Sequence, residues 1–351
     1  MRLAFLVLVL ALPVVSAAPA DAQWTDTALL EDERNTIEVF DRTSEAVVFI
    51  RNERVRRNIW TGDVMRQQAG TGSGFVWDRE GHVVTNFHVL QNGERFFVVF
   101  SDGSEYEAEI VGFEERKDLA VLKVDAPREL LRPLQPGDSD AIRVGQKVLA
   151  IGNPFELDQT LTTGVVSALG REIRSVAGVP ITDVIQTDAS INPGNSGGPL
   201  LDSRGRLIGV NTAIINRTGA NVGIGFAVPV NTVLRVVPQL IETGRVRRAG
   251  LGIGVVRQPI MDRLRLEGVG VGSVQRGSPA ARAGLKPLER LRDGRILGDV
   301  IVEVGGIPVK RFDDLYKALD PYEPGERIEI VVLRDLETRQ RMRLELIDIG
   351  D

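Results

Sequence analysis

Ile191-Asn192-Pro193-Gly194-Asn195-Ser196-Gly197-Gly198-Pro199-Leu200 is the segment on which the fold and chemistry of this chain turn. A serine between glycines on a tight turn leaves its hydroxyl exposed and the neighbouring backbone N–H groups uncovered. An acyl-transfer nucleophile with an oxyanion hole requires both. Taken alone, the segment reads equally well as a Gly-rich surface turn. Its surroundings bear on the choice. From about Thr36 to Ala227 the chain is a succession of short β-branched runs: Ala46–Arg51, Gly74–Trp77, Val83–Thr85, Phe96–Phe100, Val121–Val124, Val148–Ile151, Leu207–Asn211 and Gly225–Val228. Such runs, punctuated by Gly, Asp and Asn turns, predict an all-β barrel or sandwich. Asp78-Arg79-Glu80-Gly81 and Ser101-Asp102-Gly103-Ser104 have the character of hairpin turns.

The counts narrow the chemistry. The chain has 351 residues, no cysteine, two histidines and 37 glycines. At roughly 100–200 residues per domain, the length predicts two domains, each able to bury a core without staples. Zero cysteines exclude a disulfide scaffold, a thiolate zinc site and a cysteine nucleophile. Two histidines cannot build a three-His metal site, and no metal is expected. Glycine is well above its usual ~7%, which favours turns and short strands. The net charge is −5, from 43 basic and 48 acidic groups. A mildly acidic chain argues against a nucleic-acid partner.

The period changes after Pro229. Val233, Leu234, Val237, Leu240 and Ile241 recur at helical spacing. Asn231 is placed to cap this helix and Gly244 to stop it. Pro238 lies inside the pattern and predicts a kink or an early end. The polar stretch from Gly244 to Gly250 reads as a linker. Beyond it, Ser278–Gly284 reads as a short helix with an N-cap serine and a first-turn proline. Val300–Val309 reads as a hairpin about Gly305-Gly306, Phe312–Leu319 as a helix, and Ile328–Leu333 and Met342–Ile347 as strands. This is a small α+β module.

Two segments raise the odds for a catalytic Ser196. Val83-Val84-Thr85-Asn86-Phe87-His88 puts a histidine just past a β-branched run. Lys117-Asp118-Leu119-Ala120-Val121-Leu122 puts an aspartate just before a strand of buried character, where it could accept from an imidazole N–H. The order His, Asp, Ser is that of the chymotrypsin-like barrel proteases. His88, at a strand end, is preferred as the base over His82, which follows Gly81 in a turn and reads as solvated. Asp118 is preferred over Asp138, Asp140, Asp183 and Asp188, which lie in polar turns or too near the serine.

These segments resemble the Deg/HtrA family of trypsin-like serine proteases. The resemblance runs through Gly72-Ser73-Gly74-Phe75-Val76, Thr85-Asn86-Phe87-His88-Val89, Asp118–Leu122, Ala150–Phe155, Thr162-Thr163-Gly164, Gln186–Ala189, Asn192–Leu200 and Val222–Pro229. It implies a mostly β fold: a chymotrypsin-like double six-stranded β-barrel followed by a small α+β PDZ domain, of the single-PDZ branch on account of the insertion Lys286–Leu297. It also implies the triad His88, Asp118 and Ser196, with the N–H groups of Gly194 and Ser196 as the oxyanion hole. Ser190 stands where pockets for basic side chains carry an acid. With Ile214 and Ile215 as walls, small or medium aliphatic residues are expected before the cut. Arg248–Gly254 resembles the family's carboxylate-binding loop, so Leu251, Gly252, Ile253 and Gly254 are expected to receive peptide C-termini. A homotrimer is expected, with Phe40 and Phe155 as candidate contacts. The short Arg51–Thr71 segment argues against regulation by a long loop there.

At the start, Arg2 precedes an apolar run from Leu3 to Val15, and Ala20-Asp21-Ala22 provides an A-x-A site. This describes a secretory signal peptide, 1–22, too short in its apolar core for a ~20-residue membrane span. An uncleaved anchor is the alternative. The expected organisation is a protease domain at 23–244, a linker at 245–248 and a PDZ domain at 249–349, exported and periplasmic. No Gly-rich phosphate loop ending in Lys-Ser/Thr occurs, so no cofactor and no ATP dependence are expected. The expected partners are unfolded or damaged proteins. The alternative class is a chaperone or stress-sensor module that binds peptide ends, with proteolysis minor.

Overall fold

The β-branched runs close into barrels. The computed structural model describes residues 29–57, 64–154, 159–174, 180–192, 194–212 and 223–350. The first barrel is built from β1 (Val47–Arg57), β2 (Val64–Val76), β3 (His82–Thr85), β4 (Arg95–Val99), β5 (Glu105–Glu114) and β6 (Leu119–Val124). Its strands neighbour one another in the order β1-β2-β3-β6-β5-β4. The second is built from β7 (Lys147–Gly152), β8 (Thr160–Arg174), β9 (Pro180–Thr187), β10 (Pro199–Asp202), β11 (Leu207–Thr212) and β12 (Gly225–Pro229), in the order β10-β11-β12-β9-β8-β7. All barrel pairs are antiparallel, and closure leaves neither barrel an open edge. The turns read at 78–81 and 101–104 join β2 to β3 and β4 to β5 as hairpins.

Three α-helices among the described residues accompany the barrels. One, α1 (Glu31–Thr43), is absent from the sequence reading. It is mostly polar, burying Val39 and Thr43, and the acids of its first turn suit the positive end of the helix dipole. The four-residue α2 (Phe87–Leu90) caps β3. The predicted helix after Pro229 is α3 (Val230–Thr243). Its buried face, Val230, Val233, Val236, Val237 and Leu240, joins one core with residues of both barrels. Three expectations meet the structure here. Gly244 ends the helix as predicted, with φ +74° and its N–H on the Leu240 carbonyl. Pro238 does not end it: the proline is exposed, so the carbonyl it fails to bond lies on the water side near the exposed Leu234. Asn231 does not cap the start. It lies inside the first turn and exchanges hydrogen bonds with Ser139, its Oδ1 accepting from the Ser139 N–H and its own N–H donating to the Ser139 hydroxyl.

The C-terminal unit follows. It comprises β13 (Ala249–Gly250), β14 (Ile253–Val255), α4 (Gln258–Leu264), β15 (Val269–Val274), α5 (Pro279–Arg282), β16 (Glu289–Arg290), β17 (Ile296–Leu297), β18 (Asp299–Val304), β19 (Ile307–Pro308), α6 (Phe312–Leu319), β20 (Arg327–Arg334), β21 (Thr338–Glu345) and β22 (Ile347–Asp348). Its main sheet runs β14-β15-β18-β20-β21, with β14 at one edge. A separate core fills it, from Leu251 to Leu346. The insertion at 286–297 carries the small β16–β17 hairpin.

One buried ion pair anchors that insertion. Asp299 is fully buried and accepts from the Lys286 N–H at 2.8 Å and from Arg334 Nε and Nη2 at 2.9 and 2.8 Å. Removing one partner of such a pair strands the other charge, at a cost of about 3–5 kcal/mol. Asp299→Ala is therefore expected to lower the unfolding free energy of the C-terminal unit by that amount in urea titrations. An unchanged midpoint would contradict this.

Candidate active site

The groups expected to act as base and orienter lie on adjoining elements of the first barrel. His88 sits on α2, immediately after β3. Asp118 sits between a one-turn 3-10 segment, Glu115–Lys117, and β6. It holds a left-handed backbone, φ +52° and ψ +42°, which Asp tolerates better than most residues. Its side chain is buried and accepts three hydrogen bonds. Oδ1 takes the His88 backbone N–H at 3.0 Å, and Oδ2 takes His88 Nδ1 at 2.8 Å and the Thr212 hydroxyl at 2.8 Å. An ionised carboxylate only accepts, so the proton on that side of the ring is on Nδ1. The Nε2 lone pair is thereby left for another proton.

Ser196 comes from the second barrel, on the turn before β10. It is only 3% exposed, and its Oγ has no hydrogen-bond partner among the described residues. Backbone bonds hold the turn: the Ser73 N–H of β2 donates to the Ser196 carbonyl at 2.8 Å, and the Gly197 N–H donates to the Asn211 carbonyl at 2.8 Å. Gly197 has φ +84°, and a Cβ there would meet the Ser73 carbonyl at 2.2 Å. Only glycine lets this turn press against the first barrel, beside the Asn86 N–H two residues before His88.

The expected oxyanion donor Gly194 lies just before. It has φ +113°, and its carbonyl accepts from Ser73 Oγ at 2.6 Å. Ser73 Oγ in turn accepts the Asn153 N–H at 2.8 Å. Asn195 braces the same loop, its Oδ1 accepting from the Asn192 N–H and its Nδ2 donating to the Ser190 carbonyl. Ser190 is exposed, and its carbonyl also accepts from the Thr162 hydroxyl. Ile214, Ile215 and Phe155 lie outside the described residues, as does segment 1–22.

His82 is not the solvated turn residue expected. It opens β3 and is buried, with Nδ1 2.6 Å from Asp78 Oδ2. Burial pushes the Asp78 carboxyl up, but hydrogen bonds from the His82 ring and from the His82 and Glu80 amides outweigh it and hold it below its ordinary value. His82 thus pins a hairpin. Glu80 completes a group of potential ligand atoms within 4.8 Å of one another.

The comparisons with known proteins agree with this geometry. A trypsin-like peptidase domain model matches residues 72–210, and a PDZ domain model matches 249–342. The chain is 48% identical to Protease Do-like 1, chloroplastic, of Arabidopsis thaliana, over 92% of its own length and 74% of that protein's. It is 44% identical to the probable periplasmic serine endoprotease DegP-like of Brucella suis, over 75% of its own length and half of that protein's. The chain belongs to the Deg/HtrA family of serine endoproteases. The HtrA-type protease AlgW with a decapeptide superposes with a TM-score of 0.68 at 34% identity, covering 89% of this chain and 98% of that one. The serine endoprotease from Yersinia pestis superposes with a TM-score of 0.62 at 31% identity, covering 90% and 98%. The protein is thus a serine-type endopeptidase of the chymotrypsin-like fold with one PDZ domain.

Sequence reasoning passed over two residues of this site. Thr212, at the end of β11, reads simply as the close of a β-branched run. Its role depends on a bond across the two barrels that no local pattern records. Ser73 stands within the family-like Gly72-Ser73-Gly74, but what marks its hydroxyl is its full burial in β2, a tertiary fact. Ser73 fixes the peptide plane after Gly194 and holds the Ser196 carbonyl, which makes it a positioning residue for the oxyanion donors expected at Gly194 and Ser196. Ser73→Ala is expected to lower kcat by about ten- to a hundredfold with KM little changed, less than the ~10²–10³ for deleting a donor outright. A loss confined to KM would refute the role.

Proposed function

We propose that this protease is an ATP-independent endopeptidase that degrades unfolded or damaged exported proteins through a Ser-His-Asp acyl-enzyme mechanism. The observation that carries this reading is the fully satisfied Asp118 carboxylate beneath His88, with the Ser196 turn docked beside them from the second barrel. In the resting arrangement Ser196 Oγ and His88 share no hydrogen bond. Closing that gap as substrate binds is the first step, since catalytic hydrogen bonds often tighten only in the substrate complex. His88 Nε2 then takes the hydroxyl proton as Oγ attacks the peptide carbonyl. Asp118 stabilises the imidazolium, and the N–H groups of Gly194 and Ser196 receive the oxyanion. The imidazolium returns the proton to the leaving amine, and water then resolves the acyl-enzyme along the same path.

Ser190, a serine where pockets for basic side chains carry an acid, supports cleavage after small or medium aliphatic residues, with Ile214 and Ile215 as walls. Residues 1–22 act as an export signal, 23–244 as the protease domain, 245–248 as the linker and 249–349 as the PDZ domain. The place of work is the periplasm, as the name of the Brucella relative supports. Leu251, Gly252 and Ile253 line a groove beside α6 and β14, which supports their binding of peptide C-termini. Gly254 belongs to β14 and packs on Ser273. The working unit is a homotrimer. Phe40 packs half-buried on the core from α1, a helix that exposes Ile37 and follows the exposed Leu30.

Incubation of β-casein with the mature protein and with Ser196→Ala tests the reading. The parent is expected to cleave it without ATP and the variant to leave it intact. Equal loss of casein with both would overturn the triad. No cleavage by either at several temperatures would favour a peptide-binding chaperone or sensor. Sequencing the products tests the pocket, since cuts confined to positions after Lys or Arg would refute it. Light scattering of the same sample is expected to give three times the mass of one chain, and a monomer would refute the trimer.

A further inference from the structure

The peptide groove of the C-terminal unit is not walled by that unit alone. Its floor carries Phe312, Leu315, Tyr316 and Leu319 of α6, and one side is β14, the edge strand of the sheet. An edge strand is where an extended peptide adds. The remaining walls are the linker, Arg235, Val236 and Gln239 of α3, and, from the protease domain's first barrel, the 3-10 turn leading to Asp118. From that turn Arg116 reaches over the groove. Its guanidinium carbon lies 4.2 Å from the Tyr316 ring centroid and 5.5 Å from that of Phe312.

The charges nearby are mostly spoken for. Glu114 is taken by Arg248 through both carboxylate oxygens. Asp320 is taken by Lys117 at 2.9 Å and faces Arg235 at 3.6 Å. The Arg116 backbone N–H donates to Glu114 Oε1 at 3.1 Å, but its guanidinium pairs with no carboxylate among the described residues and stacks on the two rings. The Tyr316 hydroxyl does not neutralise it either, because burial and then the nearby Asp320 and Glu114 push its pKa up to about 12. Around the groove the cations number five and the carboxylates three, an excess of two positive charges in a chain of net −5. Arg247 faces Asp348 at 3.9 Å, so Arg116 is the groove cation whose guanidinium meets no carboxylate among the described residues.

We propose that Arg116 reads an acidic side chain within the last four residues of the C-terminal peptide that fills this groove. The inference rests on the peptide-capture reading above. The reach follows from strand geometry. A peptide seated at Leu251–Ile253 and running along the three residues of β14 covers about 10 Å in as many residues. The Phe312 and Tyr316 rings, one helical turn apart at about 6 Å, span about two residues of it. A guanidinium stacked on rings is already oriented, so its fork meets a carboxylate with little further loss of freedom. The occupant is therefore an apolar C-terminus preceded by Asp or Glu, and the protease domain takes part in recognising it.

The test uses Ser196→Ala full-length protein, so that peptides survive, and fluorescent peptides with an apolar C-terminal residue. In one set Glu is placed at each of the three preceding positions, in a second set Gln replaces it, and a third set ends in a carboxamide. At low salt the best Glu peptide is expected to bind five- to twentyfold more tightly than its Gln counterpart. In Arg116→Gln that ratio is expected to fall to about one, while the Gln peptides bind as before. Equal binding of the Glu and Gln peptides, or a preference that survives in Arg116→Gln, overturns the proposal. If the carboxamide peptides bind as well as the acids, the occupant is not a C-terminus, and the underlying reading and this proposal both fall. If no peptide binds, the peptide-capture reading fails first. Arg116→Lys, which keeps the charge and loses the fork, is expected to retain part of the preference.

Discussion

The structure depends on a buried carboxylate. Asp118 is 1% exposed, and an ionised group in that position costs several kcal/mol unless its lone pairs are filled. They are filled by donors from both barrels: the His88 amide and ring from the first, the Thr212 hydroxyl from the second. The arrangement fixes more than a charge. It selects the His88 tautomer, sets the ring plane through two bonds to one side chain, and requires β11 to lie where its last hydroxyl can reach. The interaction that orients His88 is therefore also one that registers the two barrels against each other. This accounts for a site at the seam, where neither barrel holds it alone.

The Ser196 side of the seam solves a different problem, since the donors expected there are backbone N–H groups. Backbone cannot be positioned by rotamers, so the loop is pinned from outside. Ser73 holds the Gly194 carbonyl by its hydroxyl and the Ser196 carbonyl by its own N–H. The left-handed Gly197 permits an approach that any Cβ would block. Strand β2 of the first barrel thus shapes a loop of the second, as Thr212 of the second fills a carboxylate of the first. The two crossings run in opposite directions and make the seam rigid where the chemistry needs it.

Much of this was legible in the sequence, for reasons particular residues show. The runs at Val83–Thr85, Val121–Val124 and Leu207–Asn211 are apolar because both faces of β3, β6 and β11 are buried, and such runs are visible without alternation. Strand β5 was passed over because it is largely solvated, Glu105 to Glu109 alternating charge with Tyr106 and Ala108. Helix α1 was passed over because it buries so little. Pro238 misled because its cost depends on which face carries it, and exposure is a tertiary fact. His82 misled similarly: a histidine after a turn glycine reads as wet until β6 covers it. The three residues expected to form the triad were within reach because each carries a local signature. Thr212 and Ser73 were not, because their roles lie in contacts over long sequence separations.

The same reasoning bears on the junction between the two units. The 3-10 turn Glu115–Lys117 hands the chain to Asp118, and its neighbourhood also carries the contacts to the C-terminal unit. Glu114, 2% exposed, holds Arg248 just before the peptide loop, and Lys117 holds Asp320 at the end of α6. These pairs are partly buried, so breaking one leaves a charge that must find water or a new partner. A turn of three residues cannot rearrange at one end and stay fixed at the other. Its backbone is already committed at Asp118 to a left-handed conformation that few side chains accept. The position of the Asp118 carboxylate and the seating of the C-terminal unit are then not independent quantities. Substitutions at the two places share a structural element and should not be expected to add.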